Sequence, residues 1–261
     1  MNLSLLSELG LDALPVGGIV VALAAVFAGA VLRGFTGFGF ALAAVPALTL
    51  VFDPVLAVPA MLLLQMLATF QSLPAAHRSI HWPALAWLVA GAVIGMPAGT
   101  ALLATLPADI MRLLIGLVML AAVAMLWRGF RFAHMPGVPA RLGVGALSGV
   151  LSGAAALPGP PVIVFFLASP APAAVSRASL LAYFLFTALG SMGFALAAGL
   201  VGWATVALAL LLAPALVLGN WVGEKLFQRA AGRGYRPVAL AVLLAIGLVA
   251  TGRAAWVLLV P

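Results

Sequence analysis

The chain has 261 residues, of which 66% are hydrophobic and only 7% are charged. Because roughly a quarter of the residues in soluble domains are charged, water cannot be the main solvent of this protein. The formal net charge of +7 then indicates membrane topology rather than nucleic-acid binding, and the lack of cysteine excludes disulfides, thiolate metal sites and cysteine catalysis.

Long uncharged runs predict membrane-spanning α-helices. There are 46 residues between Arg177 and Glu224 and 30 between Arg78 and Asp109, whereas one spanning helix needs about 20. The runs are continuously apolar, without the alternation of a β-barrel strand. We therefore predict an all-α fold, a polytopic transmembrane helical bundle. Its apolar segments, in chain order, are residues 16–32, 38–52, 55–73, 84–105, 110–127, 142–156, 161–168, 178–201, 204–223 and 238–260.

Two of these segments, 38–52 and 161–168, are too short to span a membrane comfortably. Each follows a stretch that is interrupted by glycine or proline. This pattern is typical of broken or re-entrant helices that line a cavity enclosed by protein. We therefore predict a hairpin at each of these two places.

The two hairpins occupy corresponding positions, which predicts an internal repeat. An offset of 116 residues places Gly37 on Gly153 and Pro54 on Pro170, and an offset of 124 places Gly99 on Gly223. We therefore interpret residues 1–261 as a single membrane domain. Within it we expect a first repeat at 16–127, a basic cytoplasmic loop at 128–141 and a second repeat at 142–260.

The placement of basic residues predicts that the second repeat is inverted. If each half has about three spanning helices beside its hairpin, the odd number of crossings turns the second half over. The acidic N-terminus then lies outside, in the periplasm of a bacterial cell whose inner membrane holds this multi-pass chain. The cytoplasmic side receives most of the positive charge, as the positive-inside rule requires: Arg78, Arg128, Arg131, Arg141, Arg177, Lys225, Arg229, Arg233 and Arg236.

Two glycine-rich stretches carry a family resemblance. The first runs from Arg33 to Phe40 (RGFTGFGF) and is followed by Pro46; the second runs from Ser148 to Gly153 (SGVLSG) and continues into Pro158-Gly159-Pro160-Pro161. They resemble the paired segments of the TauE/SafE sulfite exporter family, and the similarity extends over about 16–260. The resemblance implies a permease for sulfite, sulfoacetate or a related organosulfur anion.

The candidate substrate-binding residues lie in and near these stretches. Glycines free backbone N–H groups to face a ligand, opposed half-helix starts favour an anion, and Arg33 can hold two oxygens of a sulfite at once. Three alternatives stay open: glycines that only allow close helix packing, an arginine that reaches the lipid headgroups, and amides that bond neighbouring helices. The set is Arg33, Gly34, Thr36, Gly37, Phe38, Gly39, Gln65, Ser148, Ser152, Gly153, Pro158, Gly159, Pro160 and Asn220.

The residues that are missing constrain the mechanism. The only lysine, Lys225, is not in a phosphate-binding loop, and the acidic residues fall at segment ends or in loops. We expect no enzyme, cofactor, metal or nucleic acid, but a secondary transporter that works by alternating access on a small anion in a lipid bilayer. H⁺ or Na⁺ is the candidate coupling ion. An anion channel and a membrane assembly or structural protein are the alternatives, and a homodimer is one assembly to test.

Overall fold

A computed structural model of the chain describes residues 16–127 and 135–229. These two ranges form nine α-helices, with one 3₁₀ turn at His77–Ser79 after the third. The helices are α1 Val16–Thr36, α2 Phe40–Val51, α3 Pro54–Ala76, α4 Trp82–Thr105, α5 Ala108–Trp127, α6 Val138–Ala155, α7 Gly159–Ala168, α8 Ala173–Ala197 and α9 Trp203–Arg229.

The all-α prediction is confirmed. Each apolar segment that the sequence predicts within the described ranges is a helix, and the segment at 238–260 lies outside them. Among the residues that the structure describes, six helices are long and apolar enough to cross a membrane, namely α1, α3, α4, α6, α8 and α9. The protein is therefore a multi-pass membrane protein. At 12 and 10 residues, α2 and α7 are too short for this, because a helix rises only about 1.5 Å per residue.

Several helix ends differ from the predicted segment ends, and two of these differences concern charged residues. The structure begins α8 at Ala173 rather than 178, and it continues α9 to Arg229 rather than ending it at 223. Arg177 and Glu224 therefore lie inside helices and not beside them. The reason is that arginine, glutamate and lysine are good helix formers, so a helix continues past the charge at which an apolar run ends.

Close backbone contacts join α4 to α6. A Cβ atom on Gly95 would collide with the carbonyl oxygen of Ala146, and one on Gly149 would collide with that of Ala92. Small residues let helix backbones approach, which favours association in a membrane through van der Waals contact. Every fourth residue repeats this contact along both helices, at Gly91, Gly95 and Gly99 of α4 and at Gly145, Gly149 and Gly153 of α6.

The helices α1 and α9 are joined in the same way. Gly34 of α1 lies against the backbone of Asn220 and Glu224, and Gly223 of α9 lies against the carbonyl of Val31. Between these two close pairs, α3 packs on α8. Both close pairs thus bring one helix from before residue 128 together with one from after residue 134.

Two buried helix breaks separate α1 from α2 and α6 from α7. At the first break, Gly37 and Gly39 have φ angles of 81° and 94°; at the second, Ala156 has a φ angle of 52°. These angles lie in the left-handed region, where a helix cannot continue. The breaks are 119 residues apart, since 155 minus 36 and 159 minus 40 both give 119. Gly37 and Ala156 therefore hold equivalent places in the two breaks, whereas the sequence pattern pairs Gly37 with Gly153 at an offset of 116.

Candidate functional site

The two helix breaks lie beside one small cavity. It has a volume of about 20 Å³, and its wall includes Arg33 of α1 and Gln65 of α3. The remainder of the wall comes mainly from the starts of α2 and α7, including Gly39, Pro158 and Gly159. The structure thus brings together these five of the residues that the sequence predicts for substrate binding.

Arg33 is the charged residue of this cavity. Its side chain is 2% exposed, and Nη2 donates a hydrogen bond of 2.6 Å to the hydroxyl of Thr69. Its Nε has no hydrogen-bond partner among the described residues. An ionised and incompletely bonded side chain inside a membrane protein is costly, and such groups are typical of ligand sites.

Gln65 ties the middle of α3 to the second helix break. Its Nε2 donates to the carbonyl oxygen of Ala156 at 2.8 Å, and this bond holds the residue with the left-handed backbone. One turn further along α3, the hydroxyl of Thr69 donates to the carbonyl of Gln65 at 2.8 Å. Gln65 and Thr69 therefore connect the second break to Arg33 through one line of hydrogen bonds.

The starts of α2 and α7 differ in what they offer a ligand. Neither helix has a side-chain cap at its N-cap residue, Gly39 or Pro158. The first N–H groups of a helix have no partner within the helix and carry the positive end of its dipole. In α7, however, Pro160 and Pro161 have no N–H to donate. The start of α2 therefore supplies more backbone donors than the start of α7.

A serine and a tyrosine support the second break from behind. Ser148 is fully buried, and its hydroxyl donates a short hydrogen bond to the carbonyl of Pro158. The hydroxyl of Tyr183 is also buried and has no hydrogen-bond partner of good geometry among the described residues, although Ser148 lies close to it. Ser148 therefore positions the cavity wall and is not itself part of it.

Four predicted residues of the first stretch support the break rather than line the cavity. The hydroxyl of Thr36 donates to the carbonyls of Leu32 and Phe38, and it accepts from the N–H of Phe38. Gly34 makes room for α9, and Gly37 lies under the side chain of Arg177. The prediction placed Gly34, Thr36, Gly37 and Phe38 at the substrate; the structure places them in helix packing and in the turn.

The other predicted residues also lie outside the cavity wall. Gly153 packs against the Met96 carbonyl of α4. The hydroxyl of Ser152 accepts a hydrogen bond of 2.8 Å from Ser191, and Pro160 is buried within the first turn of α7. Asn220 lies in α9, at a second cavity. These positions fit packing and support better than contact with a ligand in the first cavity.

Three polar residues near the cavity were missed. Thr69 bonds Arg33, and it follows Gln65 by four residues, so helical spacing alone could have found it. Arg177 donates from Nη2 to the carbonyl of Gly34 at 3.4 Å. Both Arg177 and Glu224 act electrostatically on Arg33. The sequence pattern predicts that Arg177 and Glu224 lie in loops or at segment ends. The structure shows that they lie within α8 and α9, which extend past them.

Residues 21–250 match the family model described as sulfite exporter TauE/SafE. The chain belongs to this family. The matched range contains both breaks and every residue named at the cavity of this TauE/SafE protein, which confirms the resemblance inferred from the glycine-rich stretches. TauE/SafE proteins are transporters and not enzymes, as the sequence predicts. No curated protein and no solved structure matches the chain.

Proposed function

We propose that this protein is a secondary transporter for sulfite, sulfoacetate or a related organosulfur oxyanion, and that the anion binds between the two helix breaks. The observation that carries the proposal is the buried guanidinium of Arg33, whose Nε lacks a partner among the described residues and which lines the cavity where α2 and α7 begin. A guanidinium and helix N-termini are both suited to a sulfur oxyanion. Family membership supports the same substrate class.

The charge around Arg33 also favours an anion. Among the described residues, Arg177 and Glu224 are the charged groups that act on it. Two arginines and one glutamate leave one positive charge in excess, in surroundings where repulsion between cations is weakly screened. A bound oxyanion would remove this excess and would supply an acceptor for Nε of Arg33.

The size of the cavity bears on the mechanism. About 20 Å³ is room for roughly one water molecule, so an oxyanion with three oxygens needs a wider site. An open channel would need no such widening. A transporter that opens its binding site to one side of the membrane at a time must widen the cavity to admit the anion. We therefore propose alternating access as the mechanism.

The helix pairing supports an inverted repeat as the basis of this movement. The contact of α4 with α6 has its counterpart in the contact of α9 with α1. At one end of the bundle, the hydroxyl of Ser179 accepts from the His81 N–H and Arg141 lies against the carbonyl of Pro83. The hairpin α6–α7 would enter the membrane from this end and α1–α2 from the other. Arg78, Arg141 and Arg177 lie at the same end as His81. By the positive-inside rule, this end would be the cytoplasmic face in a bacterial inner membrane.

Flux into proteoliposomes tests the proposal. Purified protein should give saturable uptake of sulfite or sulfoacetate, driven by the anion gradient and exceeding uptake by empty liposomes. Sulfate and acetate serve as comparison anions. If none of the four anions moves faster than in empty liposomes, the proposal is wrong. Ion currents far beyond the turnover of a carrier would instead make the protein an anion channel.

A further inference from the structure

A second group of polar side chains lies between α3 and α9, away from the first cavity. Nδ2 of Asn220 donates to Oε1 of Gln71 and to Oγ of Ser72, each at 3.3 Å. The hydroxyl of Ser72 in turn donates to Oε1 of Glu224 at 2.9 Å. Four oxygen-bearing side chains are thus gathered at one place within two predominantly apolar helices.

One oxygen of this group has no partner. Asn220 is 1% exposed, and its Oδ1 makes no hydrogen bond with the described residues. Asn220 belongs to the wall of an open cavity of about 360 Å³ that the exposed side chains of Gln71 and Trp221 and the half-buried Glu224 also line. An unpaired amide oxygen that is buried costs free energy, so a native structure that keeps one needs a reason for it.

We propose that these side chains form a site for a monovalent cation the size of Na⁺, to which the amide of Asn220 turns its unpaired Oδ1 in place of the Nδ2 that faces Gln71 and Ser72 in this structure. Hard cations prefer oxygen ligands, and the amide oxygens of Asn220 and Gln71, the hydroxyl of Ser72 and the carboxylate of Glu224 are all of this kind. Glu224 is the single carboxylate among the described residues of this group, and it already acts on Arg33, so a divalent ion fits less well than a monovalent one. A proton would bind to the carboxylate of Glu224 alone, and the unpaired amide oxygen of Asn220 would then have no role.

The position of this site gives it a role in transport. Gly34, the neighbour of Arg33, lies directly against the backbone of Asn220 and Glu224, and Glu224 acts electrostatically on Arg33. A cation on Glu224 would cancel its attraction for Arg33 and so strengthen the hold of Arg33 on an anion. This step rests on the proposed function, and it makes the protein a cotransporter of Na⁺ with the anion.

Cation binding is measured first without any transported anion. Detergent-solubilised protein is titrated with NaCl, KCl or choline chloride at constant ionic strength, and thermal unfolding and tryptophan fluorescence are followed. Because Trp221 lines the cavity, its emission should change with Na⁺ at concentrations where K⁺ and choline have no effect. An equal response to all three salts would overturn the cation site, as would stabilisation that follows pH but not Na⁺.

Two variants locate the site. Glu224→Gln keeps the size of the side chain and removes its charge, and Asn220→Ala removes the unpaired oxygen. Each should lower the apparent Na⁺ affinity by tenfold or more. Asp53→Asn is the matched control, since it removes a carboxylate that is exposed at the start of α3 and bonds the N–H of Val55. Wild-type Na⁺ affinity in either variant that folds would overturn the assignment, so one poorly folding variant does not prevent the test.

The link to the anion is measured last. Saturating Na⁺ should raise sulfite affinity about tenfold, and sulfite should raise Na⁺ affinity by the same factor, because coupling between two sites is reciprocal. Na⁺ binding without an effect on sulfite affinity would refute the coupling and leave the cation site standing. Na⁺ binding without any sulfite binding would instead refute the proposed substrate. The two failures are therefore distinguishable.

Discussion

Replacing Arg33 by glutamine tests the anion site most directly. Glutamine is long enough to reach part of the same space, but it removes the guanidinium charge. Hydrogen bonds to charged groups contribute about 1.5–3 kcal/mol, so losing them should weaken sulfite binding by about 10- to 150-fold. The protein itself should stay folded, because the hydroxyl of Thr69 keeps its bond to the carbonyl of Gln65 and Arg177 loses a repelling neighbour.

The assay is thermal unfolding of the purified protein with and without sulfite. At 100 times its dissociation constant a ligand stabilises the folded state by about 2.7 kcal/mol. If the variant binds 100-fold more weakly, the same concentration should stabilise it by only about 0.4 kcal/mol. Without sulfite, the free energy of unfolding of the variant should lie within about 1 kcal/mol of the wild type.

The control is Arg78→Gln, which removes the same charge from an exposed arginine in the 3₁₀ turn. It should keep the full sulfite-dependent stabilisation. The reasoning is refuted if Arg33→Gln retains that stabilisation, because a residue whose loss leaves sulfite binding unchanged does not bind the anion. A large loss of stability without sulfite would also contradict it and would make Arg33 a residue that holds α1 against α3.

Three further predictions concern packing and backbone. Gly149→Ala should destabilise the protein by about 1–3 kcal/mol, since its Cβ meets the carbonyl of Ala92, while Gly143→Ala in the same helix, with nothing within 4 Å, should be neutral or slightly stabilising in thermal unfolding. Gly37→Ala should lower the free energy of unfolding by about 1–2 kcal/mol, because Gly37 has a φ angle of 81°. Ala156→Gly should raise the free energy of unfolding by up to about the same amount. The opposite result for the two variants would contradict the left-handed backbone conformation of these residues. Tyr183→Phe should stabilise the protein by up to about 1 kcal/mol, because a buried hydroxyl that has no partner of good geometry among the described residues costs free energy. A loss of stability above about 1 kcal/mol would show that the hydroxyl bonds Ser148.

The helices were predictable because each depends on a local property of the sequence. A run of apolar residues has few alternatives to a helix in a membrane, so composition and run length were enough to find every segment in the described ranges. The spacing of the two helix breaks was not predictable in the same way. Glycines were matched with glycines, but the second break has Ala156 in the left-handed conformation where the first has Gly37. Residue identity does not reveal that conformation.

The site was predictable in part. Arg33 and Gln65 stood out because a charged or amide side chain within an apolar run is rare, and both line the cavity. Gly34 and Gly153 were predicted at the substrate but pack against other helices, and a glycine gives no sign in sequence of which backbone approaches it. Glu224 was treated as a segment end because the apolar run stops there. Its bond to Ser72, 152 residues away, is visible only in three dimensions.

The interlocked glycines of α4 and α6 have a mechanical consequence. Where the backbones of two helices are in contact, no side chain can change its rotamer to let one helix slide along the other. Each helix pair therefore has one relative position. Because α4 precedes the basic loop and α6 follows it, and because α1 and α9 are joined crosswise in the same manner, the two halves of the sequence cannot separate as independent bodies. We expect any opening of the cavity to carry α4 with α6 and α1 with α9 as two composite blocks. The hinges then lie in short connections within each half.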